Sequence, residues 1–242
     1  MRNLLIFMGA VAIFVLGFRF LSCTGFTPGV SVSGATRTET RSVNGFKGIS
    51  SEVSSDIEVS VSDQFYVEVQ AQESILPILK TELDGDRLHI FFEENVRNHD
   101  KIKIIVKGPA FDHLSIAGSG IIRFLTPLSS DRLDIDIAGS GDVILPDANI
   151  GQIKCGIAGS GNISLGGKCN DMKVDVAGSG DVDAVSLLVG KLDVDIAGSG
   201  SVKADVAQTL DASISGSGDV FYKGSPSINA DVSGSGKVKR LD

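Results

Sequence analysis

The side chains best able to do chemistry in this chain are carboxylates. Asp134-Ile135-Asp136 and Asp193-Val194-Asp195 each set two aspartates at alternate positions, and Asp175 falls between them in a repeating pattern. Carboxylates gathered on one face could carry out acid–base work or bind Ca²⁺ through oxygen ligands. Lys154, Gly156 and Lys173 interrupt the acidic line, and the lysines offer ion pairs instead. A solvated face of mixed charge is the reading these residues support best. Asp142, Asn162, Asp181, Ser201 and Asp219 form a second polar column, shared with Ile121 and Lys237. They are expected to satisfy turn backbone by local hydrogen bonds. His89, His99 and His113 lack metal-ligand spacing, and no Cys/His dyad is visible. Cys155 sits in an apolar column and reads as a small core residue. A bridge from it to Cys169 stays open, because spacing alone does not give the separation a disulfide needs. No catalytic, metal or cofactor-binding residue is assigned, and no cofactor is expected.

The elements that must position these groups are repeats. Seven Gly-Ser-Gly units supply the glycine pairs Gly118 and Gly120, Gly139 and Gly141, Gly159 and Gly161, Gly178 and Gly180, Gly198 and Gly200, Gly216 and Gly218, and Gly234 and Gly236. Their steps are 21, 20, 19, 20, 18 and 18 residues. A period near 20 marks a stacked repeat, each unit too small to bury its own apolar face. Aligned on the glycines, Leu133, Ile153, Met172 and Leu192 form one apolar column. Ile135, Cys155, Val174 and Val194 form a second, Ile137, Ile157, Val176 and Ile196 a third, and Val143, Ile163, Val182 and Val202 a fourth beyond the turn. Each unit is thus a strand, a sharp corner and another strand. Glycine suits the corner through positive φ at little steric cost. The unit lacks the later glycine and following helix of a dinucleotide loop, so the motif reads as structural.

Residues 112–242 are therefore expected to form an all-β, right-handed parallel β-solenoid with coils of about 20 residues, flattened between two sheets. Residues 41–111 alternate polar and apolar side chains, as in Asp56-Ile57-Glu58-Val59 and Phe65-Tyr66-Val67-Glu68, without the glycine repeat. They read as an irregular β-rich opening, either a separate sheet unit or the first coils of the stack. Residues 24–40 lack periodicity and read as a flexible tether. Before them, Leu4 to Phe18 is a run of 15 apolar residues and glycines, short of the roughly 20 that span a bilayer. It reads as the core of a signal peptide. Phe20-Leu21-Ser22-Cys23 resembles a bacterial lipoprotein box, with Cys23 as the lipidation site and residues 1–23 as the signal segment.

The 29 glycines among 242 residues exceed the usual share of about 7%, in keeping with repeated corners. The net charge of −8 would repel nucleic acid. At this point the residues resemble a family. Arg41-Ser42-Val43-Asn44-Gly45-Phe46-Lys47-Gly48-Ile49, Gly85-Asp86-Arg87-Leu88-His89-Ile90 and Ile104-Ile105-Val106-Lys107-Gly108-Pro109-Ala110-Phe111 are similar to the leader of the auto-transporter adhesin head GIN domain. The Gly-Ser-Gly run follows that leader from Gly118. The resemblance covers about residues 40–240. It implies a right-handed β-helix similar to pectin lyases with Gly-Ser-Gly between two sheets, a bacterial envelope location, often with a lipid anchor, and adhesion without catalytic residues. The expectation is a non-enzymatic envelope protein, membrane-held through its N-terminal lipid or anchor at the outer membrane or facing the periplasm. It would present a face to an envelope protein or glycan, with self-association into an oligomer open. The alternative is a carbohydrate-active enzyme or calcium-dependent glycan binder, resting on the Asp pairs.

Overall fold

Polar–apolar alternation recurs from residue 41 onward, so the regular elements are strands. The computed structural model describes residues 30–97 and 99–241. The described residues are all β, with 74% in strands and no helix. The expected signal segment with Cys23, and residues 24–29 of the expected tether, lie outside them.

From Leu128 onward each coil lies parallel on the one before, giving a β-solenoid of about 6 turns at ~20-residue spacing. The registers stack like on like. Leu133 pairs with Ile153, that with Met172, and so on through Leu192 to Leu210. Ile137, Ile157, Val176, Ile196 and Ile214 stack in the same way. These residues are buried, and each contributes on the order of 1.5–3 kcal/mol of apolar transfer. The four inward columns read from the sequence are the core.

The cross-section differs from the flattened two-sheet form. Within one coil, pairing to the next runs over Asp142–Leu145, Ala148–Ile150 and Gln152–Gly159, with a register shift between Leu145 and Ala148. Exposed Pro146 and Asp147 separate buried Leu145 from buried Ala148, and Gly151 with Gln152 separates Ile150 from Ile153. Two outward residues in succession break the alternation and swing the chain around. With Gly-Ser-Gly as the third corner, each coil has three sides.

The opening residues are coils of the same stack. Gly48–Ser51 pairs in parallel with His113–Gly118 on one side and Arg87–Phe92 on the other. Ser55–Val61 likewise lies between Ile121–Phe124 and Ile102–Gly108. Spatial order thus departs from chain order: the coil at 48–61 is flanked by 87–108 and 113–124. Its corner has no glycine. Ser51 and Ser55 hydroxyls donate to the Val53 carbonyl at 3.3 and 3.4 Å instead.

Antiparallel strands close this end. Leu79–Asp84 pairs with Arg87–Phe92, Tyr66–Gln72 with Ile102–Gly108, and Thr36–Arg41 with Tyr66–Gln72. Order therefore begins before residue 41, inside the stretch that the sequence assigns to the tether: the β-branched Thr36, Thr38 and Thr40 suit an edge strand. Phe46, Phe65, Phe111 and Phe124 pack edge-on or tilted beneath the cap, with centroids 4.9–6.3 Å apart.

Candidate functional site

Two features could carry function: the Gly-Ser-Gly corner and the acidic side of the coil that precedes it. At the corner the two glycines have separate reasons to be glycine. The first adopts positive φ in every copy, from +124° at Gly118 to +139° at Gly198, a region that side-chain-bearing residues rarely enter. The second has no positive φ, but a Cβ there would strike the coil beneath. At Gly161 it would come within 2.5 Å of the Gly141 carbonyl oxygen and 2.6 Å of Ile137 Cγ2. The positive-φ argument from sequence thus holds for half of the fourteen glycines. The corner backbone is tied along the stack: Ser140 N donates to Gly118 O, Ser160 N to Gly139 O and Ser179 N to Gly159 O, each at 2.8 Å. The serine side chains face water.

The column after the corner also bonds along the stack, and the expected local turn bonds are not what it makes. Asn162 Nδ2 donates to Asp142 Oδ1 at 2.8 Å, and Ser201 N to Asp181 Oδ1 at 2.8 Å. Each partner is one coil away, because parallel register puts like positions about 4.8 Å apart. Asn162, Ser164, Asp181, Asp183, Ser201 and Lys203 line a shallow concavity of about 240 Å³ on this side.

The side before the corner carries Asp134, Asp136, Asp175, Asp193, Asp195, Asp211 and Asp231 in adjoining outward rows. The two Asp pairs do not converge. Three coil steps separate them, about 14 Å at strand spacing. Lys173 instead sits among Asp175, Asp193 and Asp195, its Nζ at 3.4, 3.4 and 3.1 Å from their carboxylates. Partial burial works against the Lys173 charge, but these carboxylates prevail and hold its pKa above the ordinary lysine range. Asp134 pairs with Arg132 at 3.6 Å. Asp136 leans over Gly156, where an added Cβ would lie 2.8 Å from its Oδ1. The sheet around Asp136 raises its pKa by desolvation, against the pull of His113 and Lys154. Among the described residues no three His, Cys, Asp or Glu side chains are grouped to hold a metal ion.

His113 is 8% exposed, beside Gly48 and Arg87. Burial and then the Arg87 charge push its pKa down, while Asp136, Asp134 and Asp112 pull it up. His89 lies far from the Asp pairs, 3.1 Å from Glu52, and His99 sits against Phe92. Cys155 and Cys169 are free, buried thiols. Desolvation raises the pKa of both, that of Cys169 to about 11. Cys169 Sγ donates to the Asp171 carbonyl at 3.0 Å.

The profile of the family described as "Putative auto-transporter adhesin, head GIN domain" matches residues 45–226. The chain belongs to this family. The match spans the opening coils and six of the seven Gly-Ser-Gly corners, so the GIN leader and the repeat are one unit in structure as in sequence. Solved structures share the fold. A "putative adhesin" from Bacteroides fragilis superposes with a TM-score of 0.82 at 23% identity, covering 88% of this chain and 100% of that one. A "putative lipid binding protein" from Parabacteroides distasonis gives 0.76 at 27% identity, covering 88% and 99%. A second Parabacteroides distasonis protein, a "putative adhesin", gives 0.73 at 20%, covering 87% and 98%. No curated protein matches the chain. Membership in this adhesin family points to a cell-surface or exported protein. Among the described residues no helix is long and apolar enough to cross a membrane.

Proposed function

We propose that this GIN-domain chain is a non-enzymatic adhesion module of the cell envelope. Its N-terminal segment exports it and Cys23 carries the lipid that holds it to the membrane. Its contact surface is the acidic side before the corner, and its ligand is an extended one, a glycan or a cationic protein segment. The observation that carries the reading is the register of that side: seven aspartates in adjoining rows, fixed by backbone pairing over successive coils, with Lys173 holding three in place. Such a face offers a repeating contact at strand spacing without rearrangement on binding. The enzyme reading is weaker, because the Asp pairs lie three coils apart and lysine rather than substrate space fills the gap.

The test is a binding screen of the full chain against glycans, envelope proteins and lipid vesicles, with and without Ca²⁺. Saturable binding without turnover, lost in Asp193→Lys plus Asp195→Lys, is expected. Polysaccharide cleavage by wild type that disappears in Asp134→Asn plus Asp136→Asn would sink the proposal. Metabolic palmitate labelling of wild type, absent in Cys23→Ala, checks the anchor; an unlabelled wild type would refute it.

A further inference from the structure

The outward face before the corner changes character where the opening coil joins the repeats. One outward row runs in register from His89 through Ser50 and Ser115 to Asp136. Beside it a second runs from Arg87 through Gly48 and His113 to Asp134. Two short, half-buried serines thus follow one another between longer side chains. His89 and Asp136 stand three strand steps apart, about 14 Å, so the serines floor a trough. On one wall the His89 ring stacks on Phe91, with centroids 4.5 Å apart, and its Nε2 is held by Glu52 at 3.1 Å. Asp136 makes the other wall, and its lean over Gly156 widens the trough. Arg87 and His113 close one end by leaning together over Gly48. Arg87 Cγ and His113 Cβ lie 3.3 and 3.1 Å from where a Gly48 side chain would begin.

Two polar groups at that end are uncommitted. His113 is 8% exposed, yet among the described residues its ring makes no hydrogen bond to protein. A side chain so deeply buried ordinarily has a partner. Among the described residues the arginines with carboxylate partners within 4 Å are Arg37, Arg41 and Arg132, and Arg87 is not one of them. The trough therefore presents a guanidinium that donates, carboxylates at Asp136 and Glu52 that accept, and an imidazole with one nitrogen of each kind.

This mixture selects a ligand class. A carboxylate ligand would meet Asp136 and Glu52, and an ammonium would meet Arg87. Neighbouring hydroxyls donate to carboxylates and accept from a guanidinium at once, and a sugar ring adds C–H surface for an aromatic wall. We propose that the trough is a subsite for one uncharged sugar residue of a glycan. Its hydroxyls are shared among Arg87, His113 and Asp136, and its ring lies against His89 over Ser50 and Ser115. The proposal rests on the reading of the acidic side as a contact surface, and it names the ligand and the place on that side where recognition is concentrated.

The test uses the full chain in detergent, with lactose, cellobiose and N-acetyllactosamine as neutral probes and digalacturonate as an acidic one. Disaccharides in the trough stop short of Asp195, which lies three strand steps beyond Asp136, about 14 Å. Binding is followed by NMR of the imidazole resonances. At least one neutral probe should shift His89 and His113 saturably and leave His99 unmoved, and digalacturonate should shift none. Ser115→Gln and Ser50→Gln, each filling the floor from a different strand, should weaken binding tenfold or more with an unchanged circular dichroism spectrum. Asp193→Lys plus Asp195→Lys should leave disaccharide binding within twofold while abolishing that of an extended ligand. Binding that survives both glutamines, or a preference for digalacturonate, would overturn the subsite and leave the contact role of the acidic side standing. So would silence from every disaccharide while a long glycan or a cationic segment still binds. Failure of every extended ligand to bind would overturn both.

Discussion

Alanine at three corner glycines separates the two costs that the corner imposes. Gly118 has φ +124° and nothing within 4 Å of an added Cβ, because the coil beneath it turns differently. Gly118→Ala therefore reports backbone strain alone, about 1–3 kcal/mol. Gly161 has no positive φ, but its Cβ would stand 2.5 Å from a carbonyl oxygen. Gly161→Ala reports overpacking alone, again about 1–3 kcal/mol. Gly159 combines φ +133° with a Cβ 2.3 Å from the Gly139 carbonyl oxygen, and Gly159→Ala should cost about 2–6 kcal/mol. Equilibrium denaturation in urea, followed by far-UV circular dichroism, orders the three. The expected order places Gly159→Ala as the most damaging. If Gly118→Ala is as damaging as Gly159→Ala, contact between coils is not a separate constraint. If Gly161→Ala is neutral, the second glycine is not there to admit the neighbouring coil.

The remaining predictions concern charge and thiols. His113 has a folded-state pKa below its unfolded value, so the unfolded chain binds the proton first and stability should fall as pH drops below about 6.5. His113→Gln should flatten that part of a stability–pH curve, and an unchanged curve would refute the assignment. Lys173→Met should cost no more than about 1 kcal/mol at low salt, since the bridges are partly exposed, and the loss should shrink as salt rises; a salt-independent loss would show that packing dominates. Cys155 and Cys169 should resist a thiol reagent in the native protein, react when it is unfolded, and form no bridge under mild oxidation. Rapid labelling of native Cys155 would contradict its burial.

What the sequence shows well is whatever repeats at one position per coil. The inward columns are legible because burial acts on the same position in each unit: Ile137, Ile157 and Ile196 are identical, and Val176 in the same column differs by one methylene-sized group. The corner is legible for a similar reason, although one word, glycine, covers two constraints there. Gly118 needs its backbone angle, and Gly161 needs the absence of a side chain. The three-sided section was harder to see. Its other two corners are marked at Pro146-Asp147 and Gly151-Gln152 by adjacent outward residues, a signal that varies in composition from coil to coil. The coil at 48–61 was harder still. Val53 with two serines makes its corner, and only the alternation of Asp56-Ile57-Glu58-Val59 after it betrays the shared pattern.

The outward rows explain why the candidate site is less legible than the fold. Asp134, Asp136, Asp193 and Asp195 look like two equivalent pairs in sequence, yet their surroundings differ through their neighbours one coil away. Asp136 lies between Gly156 and Ser115 in register, with His113 diagonal to it, and the vacant side-chain position at Gly156 lets its carboxylate lean into the sheet. Asp195 meets Lys173 from the preceding coil and remains a partner in an ion-pair cluster. The chemistry of each carboxylate is thus set about 20 residues away in the chain and about 4.8 Å away in space. Local motif reading fails on such a face, while reading across aligned columns recovers it. Once the columns are stacked, Lys173 falls among three aspartates without any reference to side-chain geometry. Charge on this solenoid is therefore a property of columns, and a substitution on the acidic side should be judged by the residues one repeat before and after it.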